Sequence, residues 1–207
     1  LRDLAGFGLS IMGGRVLHYA NRWFDQLLIG RFLGTVQLGL YFNATRLQVL
    51  ATGLLIGTFS AVSMPALARL QDDLPRFRTA FSKACRFVSL VAFPAFAGLS
   101  VMAEDAIHVV LGERWAGSAP VLQLLALVGI IHPIQYIHGA AMTALGRPGI
   151  RLRLHALLAL LNVSAYCIAV PHGIVAVAAA YALVAYLWSP VETLVNRWLG
   201  AVSLAQL

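Results

Sequence analysis

Residues 119–145 read APVLQLLALVGIIHPIQYIHGAAMTAL, a stretch without a single Asp, Glu, Lys or Arg. It is longer than the roughly 20 apolar residues that an α-helix needs to cross the hydrocarbon core of a bilayer. Pro133 lies inside it, and membrane helices tolerate proline because neighbouring groups satisfy the freed carbonyl. The stretch predicts a membrane-spanning helix and decides how the rest of the chain is interpreted.

Further apolar stretches flank this one on both sides. The six predicted spans are residues 7–33, 40–66, 84–102, 119–145, 152–170 and 173–195. Turns rich in Gly and Pro are predicted at residues 34–39, 112–120, 146–149 and 171–173. Residues 69–86 form a longer, charged connection, whose apolar spacing predicts a short amphipathic surface helix. We expect an all-α fold in which residues 1–207 form a single bundle of six transmembrane helices.

The composition of the whole chain also indicates a membrane protein. Of its 207 residues, 60% are hydrophobic and only 11% are charged, whereas a soluble domain carries about 25% charged residues. A soluble core of this size could not hide so much apolar surface. The net charge of +7 could suggest nucleic-acid binding, but the basic residues lie mostly between the apolar stretches, so no nucleic-acid partner is expected.

The basic residues between the spans predict the orientation of the bundle. Ten of them fall on one side if the spans alternate: Arg2, Arg69, Arg76, Arg78, Lys83, Arg86, Arg147, Arg151, Arg153 and Arg197. The other side receives only Arg31 and Arg114. Because positive loops stay in the cytoplasm, both ends of the chain are expected there.

The first predicted span carries a polar stripe. The stripe consists of Arg15, His18, Asn21, Arg22, Asp25 and Gln26. At 100° per residue these six positions lie within an arc of about 140°. A charge at the centre of a lipid-exposed helix costs about 2.5–3.5 kcal/mol or more. The stripe therefore predicts a protein interior or a water-filled cavity on that side; the alternative is an interfacial helix whose charges snorkel to the surface.

The second predicted span repeats this pattern more mildly. Asn43 and Arg46 share one face with Gly53 and Gly57, and the two glycines form a small-xxx-small pair that allows helices to approach closely. This face either lines the same cavity or packs against a neighbouring helix, with Arg46 snorkelling outward.

Two histidines of the fourth span, His132 and His138, are candidates for a proton relay. The alternative is that both are hydrogen-bonded packing groups beside Pro133. The chain has no P-loop, HExxH or GxSxG motif and no cluster of metal ligands in sequence. We therefore expect a transporter rather than an enzyme, with no metal and no cofactor, although transport could be coupled to H⁺ or Na⁺.

A cavity lined by Arg, Asn, Gln and His suits a polar, anionic ligand, because Arg makes bidentate contacts with phosphate. A lipid-linked pyrophosphate carrying sugars would fit, with its tail remaining among membrane lipids. The candidate substrate-binding residues are Arg15, His18, Arg22, Asp25, Asn43 and Arg46.

Four short motifs occur in order along the chain. They are DQLLIGRFLG at residues 25–34 followed by LGLY at 38–41, PALARLQDD at 65–73, LGERW at 111–115 followed by APVLQLLA at 119–126, and ALGRP at 144–148. Together they resemble the second half of Wzx-type bacterial polysaccharide and oligosaccharide flippases, which belong to a superfamily shared with multidrug exporters. Each motif alone is weak, and their order and spacing carry the resemblance.

The resemblance implies two bundles of six helices around a central cavity that work by alternating access. This chain would be the carboxy-terminal bundle, and its start at Leu1 suggests a fragment whose partner is an amino-terminal bundle. The implied substrate is a lipid-pyrophosphate-linked oligosaccharide, the location the bacterial inner membrane, and glycan polymerase or assembly proteins further partners. Alternatives are a cation-coupled small-molecule exporter of the same fold and a membrane-embedded glycan-assembly enzyme or subunit.

Overall fold

The computed structural model describes residues 23–199 and Met12, and for residues 55–64 and 148 it describes the backbone alone. This part of the chain is α-helical and contains no β-strand. Its helices are α1 (residues 23–32), α2 (Gly34–Arg69), α3 (Leu74–Val101), α4 (Ala103–Leu111), α5 (Ala119–Ala144), α6 (Pro148–Ala169) and α7 (Ile174–Trp198). Short 3₁₀ helices at Glu113–Ser118 and Val170–His172 precede α5 and α7. The all-α fold class is confirmed.

Several of the described helices can cross a membrane. Four described segments are long and apolar enough: Leu74–Val101, Glu113–Ala144, Gly149–His172 and Ile174–Trp198. They correspond to the third to sixth predicted spans. Helix α2 covers the second predicted span with 36 residues, and most of the first lies outside the described residues. The chain is a multi-pass, all-α membrane protein, and the total of six spans stays a prediction.

Helix α5 forms the centre of the bundle. It packs mainly against α2, α3 and α7, and 56% of its most apolar window is buried, against at most 28% in the other three membrane segments. A helix that is apolar on all sides can be stable only when it is surrounded by other apolar groups. The stretch quoted first therefore becomes the core of the bundle.

The two largest apolar clusters both include residues of α5. The first includes Ile29, Tyr41, Leu122 and Val177, and it joins α1, α2, α5 and α7. The second lies near the other end of α5 and consists of residues from α2, α3 and α5: Leu67, Phe77, Phe81, Val88, Ile137, Ala141 and Ala144.

The charged connection at residues 69–86 differs from its predicted form. No separate surface helix forms, because α3 begins at Leu74 and runs without interruption to Val101 through Pro94. The Asp73 carboxylate caps this helix by accepting a hydrogen bond of 3.2 Å from the backbone N–H of Arg76. Two apolar residues of the connection, Phe77 and Phe81, are buried against α5, whereas Leu74 is 41% exposed.

The predicted turn at residues 34–39 is also shorter than expected. Helix α1 ends at residue 32, and α2 begins at Gly34. Gly34 has a φ of 86°, a backbone conformation that glycine adopts without steric cost. The reversal is therefore confined to Leu33 and Gly34, and residues 35–39 belong to the helix. The glycine turn at Gly146, which has a φ of 70°, was predicted correctly.

Helices α3 and α5 approach closely at Gly129. A Cβ atom at this position would lie 2.3 Å from Cδ1 of Phe96, well inside the contact distance of two carbon atoms. The Phe96 ring is buried and fills the space that the glycine leaves. A side chain at residue 129 would force the ring, and with it α3, away from the centre of the bundle.

We predict that Gly129→Ala destabilises the protein by about 1–3 kcal/mol, the usual cost of overpacking a core. The measurement is the thermal unfolding midpoint of the detergent-solubilised protein. Gly98→Ala is the matched control, since an added Cβ there meets no described atom within 4 Å and alanine is favoured over glycine in a helix by about 1 kcal/mol. Equal midpoints for the two variants would contradict the close packing.

Candidate functional site

The predicted site residues fall into three groups in the structure. Arg15, His18 and Arg22 lie outside the described residues. Asp25 is buried between helices, at 7% exposure. Asn43 is half-buried and Arg46 is exposed, both on α2.

The Asp25 carboxylate lies inside the bundle, where α1 meets α2. The Tyr41 hydroxyl donates a hydrogen bond of 2.7 Å to its Oδ2 atom. Tyr41 is 1% exposed and belongs to the first apolar cluster. A carboxylate in such surroundings needs donors from the protein, since water is excluded and an unpaired buried charge is costly. This contact therefore fixes the rotation of α1 relative to α2.

A second set of polar groups joins α2, α5 and α7. The Gln48 amide nitrogen lies 3.0 Å from the Thr52 hydroxyl, to which it donates, and 3.3 Å from Nδ1 of His132. The other ring nitrogen of His132, Nε2, lies 3.0 Å from the Tyr181 hydroxyl. Because the amide nitrogen is a donor, Nδ1 accepts and Nε2 carries the proton, so the network assigns the neutral Nε2–H tautomer. The groups form a continuous hydrogen-bonded line through the interior.

The two polar sets approach each other through tyrosine rings. Tyr166 of α6 and Tyr181 of α7 have ring centroids 6.3 Å apart, and Tyr166 is packed in the same apolar cluster as Tyr41. Five helices thus contribute to one buried region that contains a carboxylate, three phenols, an imidazole and an amide. Such a region can hold, orient and exchange protons, or rearrange when helices shift.

Sequence reasoning did not select Tyr41, Gln48 or Tyr181. A signal for two of them exists: between Gly34 and Leu54, the buried positions of α2 are Tyr41, Ala44, Gln48 and Thr52, which repeat at helical spacing of three and four residues. That repeat marks the side of α2 that faces the bundle. Tyr181 has no comparable signal, because its partner His132 lies 49 residues earlier in the chain.

Arg46 lies on the opposite side of α2. Its neighbours along that exposed side are Phe42, Leu50 and Leu54, which are 42%, 56% and 77% exposed. Arg46 is the one cation in this apolar row, and no described carboxylate lies within ion-pair distance of it. The row is a surface that the described bundle does not cover.

His138 lies away from His132, on another side of α5. It is buried, it stacks on Phe81 with ring centroids 5.5 Å apart, and its Nδ1 atom is 4.0 Å from Oε2 of Glu192. The two histidines have different partners on different helices, and no described contact joins them into one relay. Within residues 23–199, no three His, Cys, Asp or Glu side chains come together as a metal site.

We predict that Tyr41→Phe lowers the stability of the protein more than Tyr186→Phe does. The first change removes a donor to a buried carboxylate, and a hydrogen bond to a charged group contributes about 1.5–3 kcal/mol. The second removes a bond of 2.8 Å to the Leu127 carbonyl at the surface, which contributes about 0.5–1.5 kcal/mol. Thermal unfolding in detergent measures both; a smaller loss for Tyr41→Phe would contradict the role given to Asp25.

The chain is similar in sequence to known proteins. Residues 1–120 match the model of a family described as "Polysaccharide biosynthesis protein". The chain is 28% identical over 97% of its length to the "Teichuronic acid biosynthesis protein TuaB" of Bacillus subtilis, covering 41% of that protein. It is 31% identical over 71% of its length to the "Lipopolysaccharide biosynthesis protein WzxC" of Escherichia coli, covering 30%. No solved structure matches the chain.

A third relative is described as a probable flippase. The chain is 27% identical over 84% of its length to the "Probable low-salt glycan biosynthesis flippase Agl15" of Haloferax volcanii, covering 37% of it. The chain thus spans between 30% and 41% of the length of these three relatives. The resemblance drawn from the four motifs is confirmed, and, since the family model covers more than half of its residues, the chain belongs to the family of polysaccharide biosynthesis proteins.

Proposed function

We propose that this chain is part of a flippase that moves lipid-linked oligosaccharide repeat units across the cytoplasmic membrane, with both ends of the chain in the cytoplasm. The names of its relatives support this function, since one is called a flippase and another a lipopolysaccharide biosynthesis protein. The four apolar helices support a membrane location. In this proposal the protein transports its substrate and does not alter it chemically.

The structural observation that carries the proposal is Arg46. Its guanidinium group lies in the exposed apolar row of α2, between Phe42 and Leu50. If the row faced lipid alone, the arginine would cost about 2.5–3.5 kcal/mol or more. A partner that is apolar along most of its length and anionic at one point would match the row. A lipid-linked pyrophosphate has this character, and arginine binds its oxygens in a bidentate manner.

The row then becomes one wall of a central cavity. A second bundle opposite α2 would supply the other wall, and the greater length of the relatives leaves room for it. Arg15, His18, Arg22 and Asn43 are proposed to complete the polar lining together with Arg46. Opening of the cavity toward one side and then the other would carry the sugars across, and coupling to H⁺ or Na⁺ would give the movement its direction.

We predict that Arg46→Ala reduces surface polysaccharide at least tenfold in cells whose only copy of the flippase is the full-length variant. The reason is that loss of a charge-assisted bidentate contact costs about 1.5–3 kcal/mol, and a loss of 1.4 kcal/mol is a factor of ten at equilibrium. Arg46→Lys keeps the charge without the bidentate geometry and should give an intermediate result. Export is measured as surface polysaccharide per amount of membrane-inserted protein.

Arg76→Ala is the matched control. Arg76 is an exposed cation whose partner is Asp73 at 3.2 Å on the adjoining turn, and its removal should leave export unchanged because exposed ion pairs contribute little. Normal export by Arg46→Ala at normal protein levels would reject the substrate role of this residue. Unchanged polysaccharide together with increased sensitivity to toxic cations would favour the small-molecule exporter instead.

A further inference from the structure

A buried pair of titratable side chains lies outside the site described so far. His138 of α5 and Glu192 of α7 are 5% and 6% exposed. His138 is six residues before the end of α5 at Ala144, which places it about 9 Å from that end at 1.5 Å per residue. The basic residues Arg147 and Arg151 follow directly in the chain, so the pair lies in the half of the bundle that is proposed to face the cytoplasm.

The facing atoms of this pair have no hydrogen-bond partner among the described residues. Nδ1 of His138 and Oε2 of Glu192 are both without one, although they lie only 4.0 Å apart. The other carboxylate oxygen, Oε1, accepts a hydrogen bond of 3.2 Å from the indole N–H of Trp188. Buried polar atoms are almost always paired, and each unpaired one requires an explanation.

One protonation state of the two groups accounts for the gap. When the carboxylate is ionised and the imidazole is neutral with its proton on Nε2, two acceptors face each other, and neither can donate. One added proton removes this conflict, because either the imidazolium donates to the carboxylate or the carboxylic acid donates to the imidazole. The two arrangements contain the same number of protons, so the binding of this proton is a property of the pair and not of one residue.

The surroundings of the pair come from three helices. From α6, the Arg151 guanidinium interacts electrostatically with Glu192, and half-buried His155 follows one turn later. From α3, the Phe81 ring stacks on His138, and Cys85 packs in the same apolar cluster. On α7 itself, the amide group of Asn196 donates to the Glu192 carbonyl at 2.9 Å.

Arg151 also connects α6 to α5 beside the pair. Its Nη1 atom donates to the Thr143 hydroxyl at 3.2 Å, and a Cβ atom at Gly139 would lie 2.9 Å from its Nε atom. The arginine thus lies across the residue that follows His138. It compensates the charge of an ionised Glu192. The added proton would therefore change the net charge of Arg151, Glu192 and His138 together from zero to +1.

We propose that His138 and Glu192 form a proton-binding pair that takes one proton from the cytoplasmic side and, when protonated, closes the gap between α5 and α7. The proton bridges Nδ1 and Oε2, and the hydronium ion that delivers it leaves as water. A metal ion would need more ligands than these two atoms offer. The part of this proposal that concerns transport rests on the proposed flippase function: protonation would bias the helices toward one of the two open states.

Trp188 provides the test, because its indole N–H is bonded to the Glu192 carboxylate. The purified full-length protein, with every other tryptophan replaced by phenylalanine, is titrated between about pH 4 and pH 9, which spans the ordinary range of Glu and His. We expect the Trp188 emission to change through one transition, since a bond to an ionised carboxylate is stronger than one to a neutral acid. Glu192→Gln should abolish the transition, and His138→Gln should shift its midpoint by at least one pH unit.

Glu113→Gln is the matched control. Glu113 also faces a histidine, with Oε1 3.3 Å from Nε2 of His108, but both side chains are exposed, and this variant should keep the transition unchanged. A flat titration of the parent protein, a transition that survives Glu192→Gln, or an unshifted midpoint in His138→Gln would overturn the proposal. The His138 variant keeps the test decisive if Glu192→Gln fails to fold.

The fluorescence titration uses no substrate, so it does not depend on the flippase assignment. Export by the Glu192→Gln protein is then measured in the same cells as for Arg46→Ala. Export that falls at least tenfold and no longer responds to the cytoplasmic pH supports the role in transport. If the parent protein shows the Trp188 transition but the Glu192→Gln protein exports normally, the role in transport is overturned. If the flippase function itself is wrong, the unaltered protein shows no export.

Discussion

The Asp25 carboxylate lies inside an apolar bundle and has to meet a donor that another helix supplies, and Tyr41 supplies it at 2.7 Å. The same requirement applies to every polar group of the described interior. His132 meets Gln48 and Tyr181 because in an apolar environment an unsatisfied group costs several kcal/mol. Polar groups thus help to determine how the helices are rotated about their axes, together with the fit of large and small side chains.

Small residues make these contacts possible. At Gly129 the absence of a side chain admits the Phe96 ring, and at Gly139 it admits the Arg151 guanidinium. At Gly39 a Cβ atom would lie 3.3 Å from the ring of Trp115, so α2 meets the 3₁₀ helix that precedes α5. Each glycine lets a large side chain of one element reach the backbone of another, which is the usual means of close helix packing in membranes.

Helix α5 carries the half-buried His132 and the buried His138, and the two belong to different polar regions. His132 takes part in a satisfied line of hydrogen bonds, which tends to hold one arrangement of helices. His138 faces Glu192 across 4.0 Å without a hydrogen bond, and this arrangement can change with one proton. A stable polar region and one that can change thus lie six residues apart on one central helix.

The sequence alone determined the membrane location, the helical class and the identity of the central helix, since long apolar stretches have only one stable structure in a bilayer. It also indicated the turn at Gly146 and the polar character of Asp25, Arg46, His132 and His138. It misjudged residues 34–39 and 69–86, because hydropathy measures how each side chain prefers lipid or water and not where the backbone hydrogen bonds continue.

Only the tertiary structure decided which polar groups meet. Gln48 and His132 are 84 residues apart, and His138 and Glu192 are on α5 and α7 with α6 between them in the chain. Helix periodicity predicts on which side of its own helix a residue lies. It does not predict how a neighbouring helix is rotated or how far it is shifted along its axis. Those depend on how large and small side chains fit together across the whole bundle, and so the pairing of His138 with Glu192 becomes visible only when α5 and α7 are packed.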